Sequence, residues 1–370
     1  MMSTPLMNGG TAGFIWGFVI VAVGVTLLFA SLAEMASMAP TSGGQYHWVS
    51  EFAPRRCQKF LSYITGWLCA TGCECAIASI AFLGGTIIQG LAVLNYPDYV
   101  FEREKLPLVE AFVLILHVAG LFIIIIPLWA LAPISDAKTV FTKFSNSGEW
   151  NSDGTATMVG LVTAITAMIG YDCTVHMSEE VRDASSTLPK AIMSALALNG
   201  SMAFLVLITL CFTMGNVDEI LETDTGYPFI QIFYNVTRSY PATNAMTSIV
   251  TPGWNIPLNA VLVSLALTVL LSLINIGSTV ALNALITLTI GSLLNSYIVT
   301  VACVAWKRIS GELLPPRRWS LGRWGLYINL GALAFLIPEF VFVMFPLTST
   351  VTPESMNWSS LIVHFAIAPV

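Results

Sequence analysis

The chain has 370 residues, of which 56% are hydrophobic and only 10% are charged, and its formal net charge is −6. An ordinary soluble domain carries about 25% charged residues, so this composition excludes a soluble globular protein. No run of basic residues is long enough for a nucleic-acid-binding surface, which excludes nucleic acid as a partner. Because hydrophobic segments run through the whole chain, we expect a single membrane domain over residues 1–370.

Eight stretches are long and apolar enough to cross a bilayer as helices, which takes about 20 residues. Only two of them contain a charged residue, Glu74 in the second and Glu339 in the last. The apolar runs do not alternate with a period of two, as barrel strands do, so we predict an all-α polytopic membrane protein. The eight stretches are 11–33, 60–97, 111–135, 154–171, 191–217, 257–276, 279–306 and 325–346, with a shorter ninth at 355–370.

The basic loops fix the orientation of these helices, because Lys and Arg mark cytoplasmic loops. One basic loop lies at residues 55–59 and another at 307–323, and alternation of the spans places both in the cytoplasm. The same alternation also places the acidic loop at 218–224 there. That loop is followed by the glycosylation sequon at 235–237, which favours the outer side. One span missing before this loop and one after it would remove the conflict.

Sequence segments that resemble three helices of one family carry a resemblance. Residues 31–48, SLAEMASMAPTSGGQYHW, resemble the second helix and following loop of the amino acid–polyamine–choline (APC) transporter superfamily. Residues 169–184, IGYDCTVHMSEEVRDA, resemble the broken sixth helix of its fungal branch of amino acid, GABA and choline permeases. The segments NIPLN at 255–259 and LINIGS at 273–278 resemble the ninth helix of that branch. The resemblance runs from about Gly9 to about Trp358.

The resemblance implies about twelve helices in an inverted-repeat transporter fold, and this chain departs from that pattern. It begins where the first family helix should end, and its twelfth helix is cut short. After Glu102 it passes at once to Leu106, where relatives have a fourth helix. After Val250 it passes at once to Thr251, where most of the eighth helix should lie. We therefore expect an incomplete transporter domain that lacks the first, fourth and most of the eighth helix.

In this kind of transporter the solute binds near the bilayer midplane, where helices are broken. The resemblance therefore implies that Gly170, Tyr171 and Asp172 bind the solute. Gly170 lets the backbone leave the helix, and the Tyr171 ring suits a cation–π contact with an amine. Asp172 and His176 are spaced i, i+4, so they could share a face and serve proton coupling if that half of the broken helix is α-helical. The alternative is that both side chains stabilise the break or face water.

Three further acids are candidates for coupling or gating. Glu34 ends a span and either pairs with a gate residue or extends toward water. Glu179 begins a cytoplasmic loop, where it either gates or is simply solvated. Glu74 is the deepest acid in the chain, and an acid within a membrane span is a functional candidate by default. The flanking Cys73 and Cys75 lack the spacing of a metal site, so we expect no metal, cofactor or catalytic residue.

The resemblance implies a secondary active permease for an amino acid or a small amine, such as an amino acid, GABA or choline, coupled to protons. Its partners would be this small solute, protons and membrane lipid, and its location the plasma membrane. The alternative is a truncated remnant that does not transport. An enzyme is not expected, because the chain contains no His cluster, CxxC pair, GxSxG motif or phosphate loop.

Overall fold

The computed structural model describes residues 3–95, 110–179, 181–215, 217–221, 227–250, 279–346, 348–350 and 357. This part of the chain is helical, without a β-strand. The helices are α1 (Ser3–Met7), α2 (Gly10–Met38), α3 (Gly44–Phe52), α4 (Gln58–Asn95), α5 (Glu110–Leu131), α6 (Ala137–Thr142), α7 (Asp153–Gly160), α8 (Val162–Met168), α9 (Ala184–Thr213), α10 (Val217–Leu221), α11 (Pro228–Thr237), α12 (Tyr240–Val250), α13 (Thr279–Ile309) and α14 (Gly325–Val343).

The predicted all-α, multi-pass membrane fold is confirmed. Within the described residues, five helical stretches are long and apolar enough to cross a membrane: Gly10–Met38, Asp153–His176, Ala184–Thr213, Ala284–Ile309 and Gly322–Val343. Two further predicted spans, 60–97 and 111–135, correspond to helices α4 and α5. The predicted spans 257–276 and 355–370, and the motifs at 255–259 and 273–278, lie outside the described residues.

Helix α2 lies at the centre of the bundle. Its residues 11–33 carry no charge, and most of its side chains are buried. Two of its glycines let neighbouring chain segments come close. A Cβ at Gly17 would lie 2.3 Å from the Leu161 side chain, and one at Gly24 would lie 2.2 Å from the Phe335 ring. Larger residues at these two positions would therefore push away the α7–α8 junction and α14.

Four segments meet at one end of the bundle. The end of α2 contacts the start of α9, where Ser37 Oγ donates to the Ser185 carbonyl at 2.7 Å. The same hydroxyl accepts from the backbone N–H of Arg318, at 3.1 Å, in the segment that joins α13 to α14. Helix α3 also lies here, since Lys307 at the end of α13 stands 5.5 Å from the Phe52 ring. Both basic loops belong to this end, which the positive-inside rule makes cytoplasmic.

The opposite end of the bundle carries the acidic loop. The Ser135 N–H donates to the Phe212 carbonyl at 2.8 Å, so the far ends of α5 and α9 are adjacent there. Helix α10, which contains Asp218 and Glu219, follows directly and packs against α11, which contains the sequon residue Asn235. The described start of the acidic loop, with Asp218 and Glu219, thus lies at the outer end, away from both basic loops. Simple alternation of the eight predicted spans, which placed this loop in the cytoplasm, was therefore wrong.

Candidate functional site

The predicted break at Gly170 is present. Helix α8 ends at Met168, Ile169 is extended with φ −100° and ψ 166°, and Gly170 is left-handed with φ 95° and ψ 2°. A 3₁₀ helix then runs over Tyr171–Met177. A Cβ at Gly170 would meet nothing within 4 Å, so the backbone conformation, rather than packing, requires glycine here. The carbonyl groups that end α8 and the N–H groups that begin the 3₁₀ helix lack intrahelical partners.

Asp172 is buried and held by two donors from distant parts of the chain. The Tyr297 hydroxyl donates to Asp172 Oδ1 at 2.7 Å, and the Gln45 amide nitrogen donates to Asp172 Oδ2. Gln45 lies in the first turn of α3 and Tyr297 in the middle of α13. Only 5% of the Asp172 surface is exposed, so these two hydrogen bonds replace hydration of its carboxylate.

Aromatic rings pack beside this carboxylate. The Tyr171 ring lies edge-on to the Phe29 ring, with centroids 5.2 Å apart, and Phe29 in turn lies 6.1 Å from Tyr297. Phe29 and Tyr297 are fully buried, whereas Tyr171 is only partly buried. Tyr171 is therefore the ring of the three that retains free surface next to the break.

Helix α4 brings thiols to the same region. Helix α4 packs along α13, so Cys69 lies near Ser296, the neighbour of Tyr297, and Cys73 lies one turn further along α4 with its surface exposed. Cys173, which follows Asp172, is also exposed and free. Glu74 is half-buried on α4, next to Cys73. Among the described residues, no group of three His, Cys, Asp or Glu side chains is arranged to hold a metal ion.

His176 and Asp172 do not share a face, so the expectation from their i, i+4 spacing was wrong. The segment is a 3₁₀ helix with three residues per turn, which rotates His176 about a third of a turn away from Asp172. His176 is exposed, and its Nδ1 lies 2.7 Å from the Ser42 carbonyl oxygen. Glu179 accepts a hydrogen bond from the Ser42 hydroxyl. Both side chains thus contact the loop before α3.

Glu34 is paired and does not extend toward water. Its side chain is 1% exposed, and it forms ion pairs with Arg308, at the end of α13, and with Arg317 Nε at 2.9 Å. The Leu321 N–H also donates to Glu34 Oε1, at 3.1 Å. The sequence left open whether Glu34 pairs with another residue or extends toward water, and in the structure it is paired. One buried acid therefore joins α2 to α13 and to the segment before α14.

A larger set of contacts surrounds this ion pair. Ser37 accepts from the N–H groups of Arg318 and Trp319 at 3.1 and 3.0 Å, and Arg318 Nη1 lies 2.6 Å from Asp183 Oδ2, just before α9. These contacts tie together the cytoplasmic ends of α2, α9 and α13. We call the set the cytoplasmic polar cluster; it consists of Glu34, Ser37, Asp183, Arg308, Arg317 and Arg318.

Comparison with known proteins identifies the family. A sequence model of the family described as "Amino acid permease" matches residues 1–101 and 99–253. The chain belongs to the amino acid permease family. It is 30% identical to a Macrophomina phaseolina protein whose name describes an amino acid/polyamine transporter, covering 95% of this chain and 91% of that protein. It is 26% identical to the choline transporter of Saccharomyces cerevisiae, covering 98% and 74%. Amino-acid permease 2 of Neurospora crassa is 25% identical, covering 99% and 79%.

The alignments with these permeases are longer than the chain itself. The match to the Macrophomina protein extends over 420 residues, whereas this chain has 370. Some positions of that relative therefore lie inside the matched range without a counterpart here. The two matches to the family model meet at residues 99–101 and the second ends at 253. These are the two regions in which the sequence pattern predicts the loss of a helix.

Proposed function

We propose that the chain is a secondary active permease for an amino acid or a small amine and that the solute binds at the Gly170 break, beside Asp172. The observation that carries this proposal is the break itself. It leaves backbone groups without intrahelical partners next to a buried carboxylate and the free surface of Tyr171. Transporters built on broken helices bind their solutes at such points.

Each residue at the break has a role in this proposal. The free N–H and C=O groups around Gly170 meet the charged ends of an amino acid. Tyr171 packs its ring on the ammonium group of an amine. The carboxylate of Asp172 supplies the counter-charge, and Gln45 and Tyr297 hold it in place while the solute enters and leaves.

The cytoplasmic polar cluster serves as the inner gate in this proposal. Its ion pairs hold together the ends of α2, α9 and α13, which would have to separate for a solute to leave toward the cytoplasm. His176 and Glu179 assist by binding the loop before α3. Because Gln45 follows that loop, movement of the gate would also move one donor of Asp172. Gate and solute site are then coupled through α3.

Proton coupling and a place in the plasma membrane complete the proposal. Glu74 stays a candidate for coupling, since it is an acid on a membrane-spanning helix close to the Asp172 region. The names of the relatives support the substrate class, because they describe transporters of amino acids, polyamines and choline.

A second candidate function is a remnant that does not transport, in which the fourth and most of the eighth family helix are absent. The alignments that are longer than the chain, and the family match that is split at residues 99–101, support internal losses. Loss of whole helices would open the solute cavity to lipid and leave polar groups unpaired.

Uptake of labelled solutes separates the two candidates. The chain as it stands is compared with a restored permease, in which the Macrophomina relative supplies the two internal segments after Glu102 and after Val250. Both are expressed in permease-deficient yeast at matched surface levels, with an amino acid, GABA and choline as solutes. Uptake of at least one solute by the 370-residue chain would support a working permease. Uptake by the restored permease alone would identify the chain as a remnant of one. Failure of the restored permease with all three solutes would contradict the proposed function.

A further inference from the structure

Glu339 is a buried acid in the outer half of a membrane-spanning helix. It follows Pro338 in α14 and precedes the last residue of that helix, Val343, by four positions. At about 1.5 Å per residue, the Glu339 Cα lies about 6 Å along the axis from the outer end of α14. Only 1% of the residue is exposed. Glu339 is therefore close to the outer solution and yet shielded from it.

Glu339 has no polar partner within the described part of the chain. Its Oε2 is buried without a hydrogen bond, and none of the ion pairs there involves it. This distinguishes it from Asp172, which accepts two hydrogen bonds, and from Glu34, which pairs with two arginines. Glu339 is thus a buried acid whose charge, if present, would be uncompensated.

The helices that pack on α14 supply no cation at this depth. Helix α2 has only Glu34, at its cytoplasmic end, and α8 has no charged residue. Helix α7 has Asp153 at its outer start. Four described side chains of α13 can titrate or carry a charge. Tyr297 is hydrogen-bonded to Asp172. Cys303, Lys307 and Arg308 lie in the cytoplasmic half of the helix. The two basic residues of α13, Lys307 and Arg308, therefore lie at the opposite end of the bundle from Glu339.

The outer end of α14 is anchored to the loop before α7. The aromatic rings of Trp150 and Phe345 pack with centroids 5.8 Å apart, and Phe342 lies 5.4 Å from Phe345. Ser349 then ties the segment after α14 to the loop before α7, donating its N–H to the Gly148 carbonyl at 2.9 Å. These contacts hold the outer end of α14 against the loop before α7, and in this arrangement Glu339 is 1% exposed.

We propose that Glu339 is the site at which this permease takes up a proton from the outer solution, and that the outer end of α14 closes only over its neutral form. When the outer end is open, the carboxylate accepts a proton from hydronium and releases water. The neutral carboxyl group can then be buried without a partner, whereas the charged form would resist burial because it loses its hydration. Proton binding is thereby coupled to closure of the outer end. This inference rests on the proposed function, because a proton site drives uptake only in a working permease.

Infrared spectroscopy of the purified 370-residue chain in lipid nanodiscs tests the protonation directly. We expect the carbonyl stretch of a protonated carboxylic acid at neutral pH, its loss in Glu339→Gln, and its retention in the control Glu312→Gln, which alters an exposed acid. Labelling glutamate with ¹³C in the unaltered chain should shift the band, and labelling aspartate should leave it in place. This second measurement assigns the band to a glutamate even if Glu339→Gln does not fold, and persistence of the band in Glu74→Gln would then leave Glu339 as its source. Absence of the band, or its persistence unchanged in Glu339→Gln, would overturn the inference.

Transport by the restored permease tests the coupling. Uptake should increase as the outer solution becomes more acidic. In Glu339→Gln we expect this increase to be lost, while exchange of labelled for unlabelled solute at equal pH on both sides is retained. An unchanged response to pH in Glu339→Gln would overturn the coupling role, as would loss of exchange in a folded variant. If the unaltered restored permease takes up no solute, the proposed function fails, and the infrared band alone decides whether Glu339 holds a proton.

Discussion

The Tyr297 hydroxyl donates a 2.7 Å hydrogen bond to Asp172 Oδ1 and thereby connects the middle of α13 to the segment that follows the helix break. Both side chains are buried, so water does not compete for this bond. The aromatic contact between Tyr297 and Phe29 extends the connection to α2. Asp172 is thus linked to α13 and α2, which lie far from it in sequence.

Replacing Tyr297→Phe should destabilise the folded protein by roughly 1–3 kcal/mol, because a buried carboxylate loses one of its two donors. Ring packing is preserved, so the loss is confined to the hydroxyl. The measurement is the thermal unfolding temperature of the purified protein in detergent. Tyr327→Phe is the matched control, since Tyr327 is 67% exposed on α14. Equal unfolding temperatures for the two variants would show that the hydrogen bond contributes nothing.

Replacing Glu34→Gln should destabilise the protein more strongly, by roughly 3–5 kcal/mol, since it leaves two partly buried arginines without their counter-charge. The side chains of Arg308 and Arg317 are only 12% and 20% exposed, so solvent compensates poorly. The same unfolding measurement applies, with Glu312→Gln as control because Glu312 is 63% exposed at 4.0 Å from Lys307. If both variants lower the unfolding temperature by the same small amount, the cytoplasmic polar cluster does not stabilise the contact between the ends of α2, α9 and α13.

Replacing Gly170→Ala should cost roughly 1–2 kcal/mol of stability, because an L-residue is strained in the left-handed conformation. Gly215→Ala provides a matched control: Gly215 has φ 73°, lies beyond α9, and also has nothing within 4 Å of an added Cβ. We expect comparable losses of stability for the two variants. In the restored permease, only Gly170→Ala should weaken solute uptake. Equal uptake by the two variants would argue against a binding role for the break.

Solute should protect Cys173 from modification. This thiol is exposed and follows Asp172, so a bound solute would cover it. In the restored permease with its other cysteines replaced, the rate of reaction with a small cationic thiol reagent should decrease as solute is added. A version that retains only Cys57, in the cytoplasmic loop before α4, should react at the same rate with and without solute. Protection of both thiols alike would indicate a general change in the protein rather than occupancy of the site.

The sequence predicts local features of this structure better than contacts between distant segments. Charge-free stretches predict α2 and α9, and Gly170 close before Asp172 predicts the break. The helices and the break can be predicted because each depends on residues that are near one another in the chain. The bonds from Gln45 and Tyr297 to Asp172 span 127 and 125 positions, and no local pattern specifies them. Gln45 does lie inside the family motif at 31–48, so that motif was the available signal for it.

Two errors have physical causes. The expected alignment of Asp172 with His176 assumed 3.6 residues per turn, whereas freed backbone groups at the break favour the tighter 3₁₀ helix. The conflict over the acidic loop arose because alternation counts every span as present. The ends of α5 and α9 meet through Ser135 and Phe212, which fixes the side of that loop without any count.

Solute affinity of Asp172→Asn in the restored permease tests the central claim most directly. Asparagine preserves the size of the side chain and removes its charge, while the exposed Asp153→Asn serves as control. Hydrogen bonds to charged groups contribute roughly 1.5–3 kcal/mol, so the account predicts that Asp172→Asn weakens binding of an amine-bearing solute about tenfold to a hundredfold. Asp153→Asn should leave the affinity unchanged. Affinity of folded Asp172→Asn equal to that of the unaltered permease would contradict a solute site at the Gly170 break.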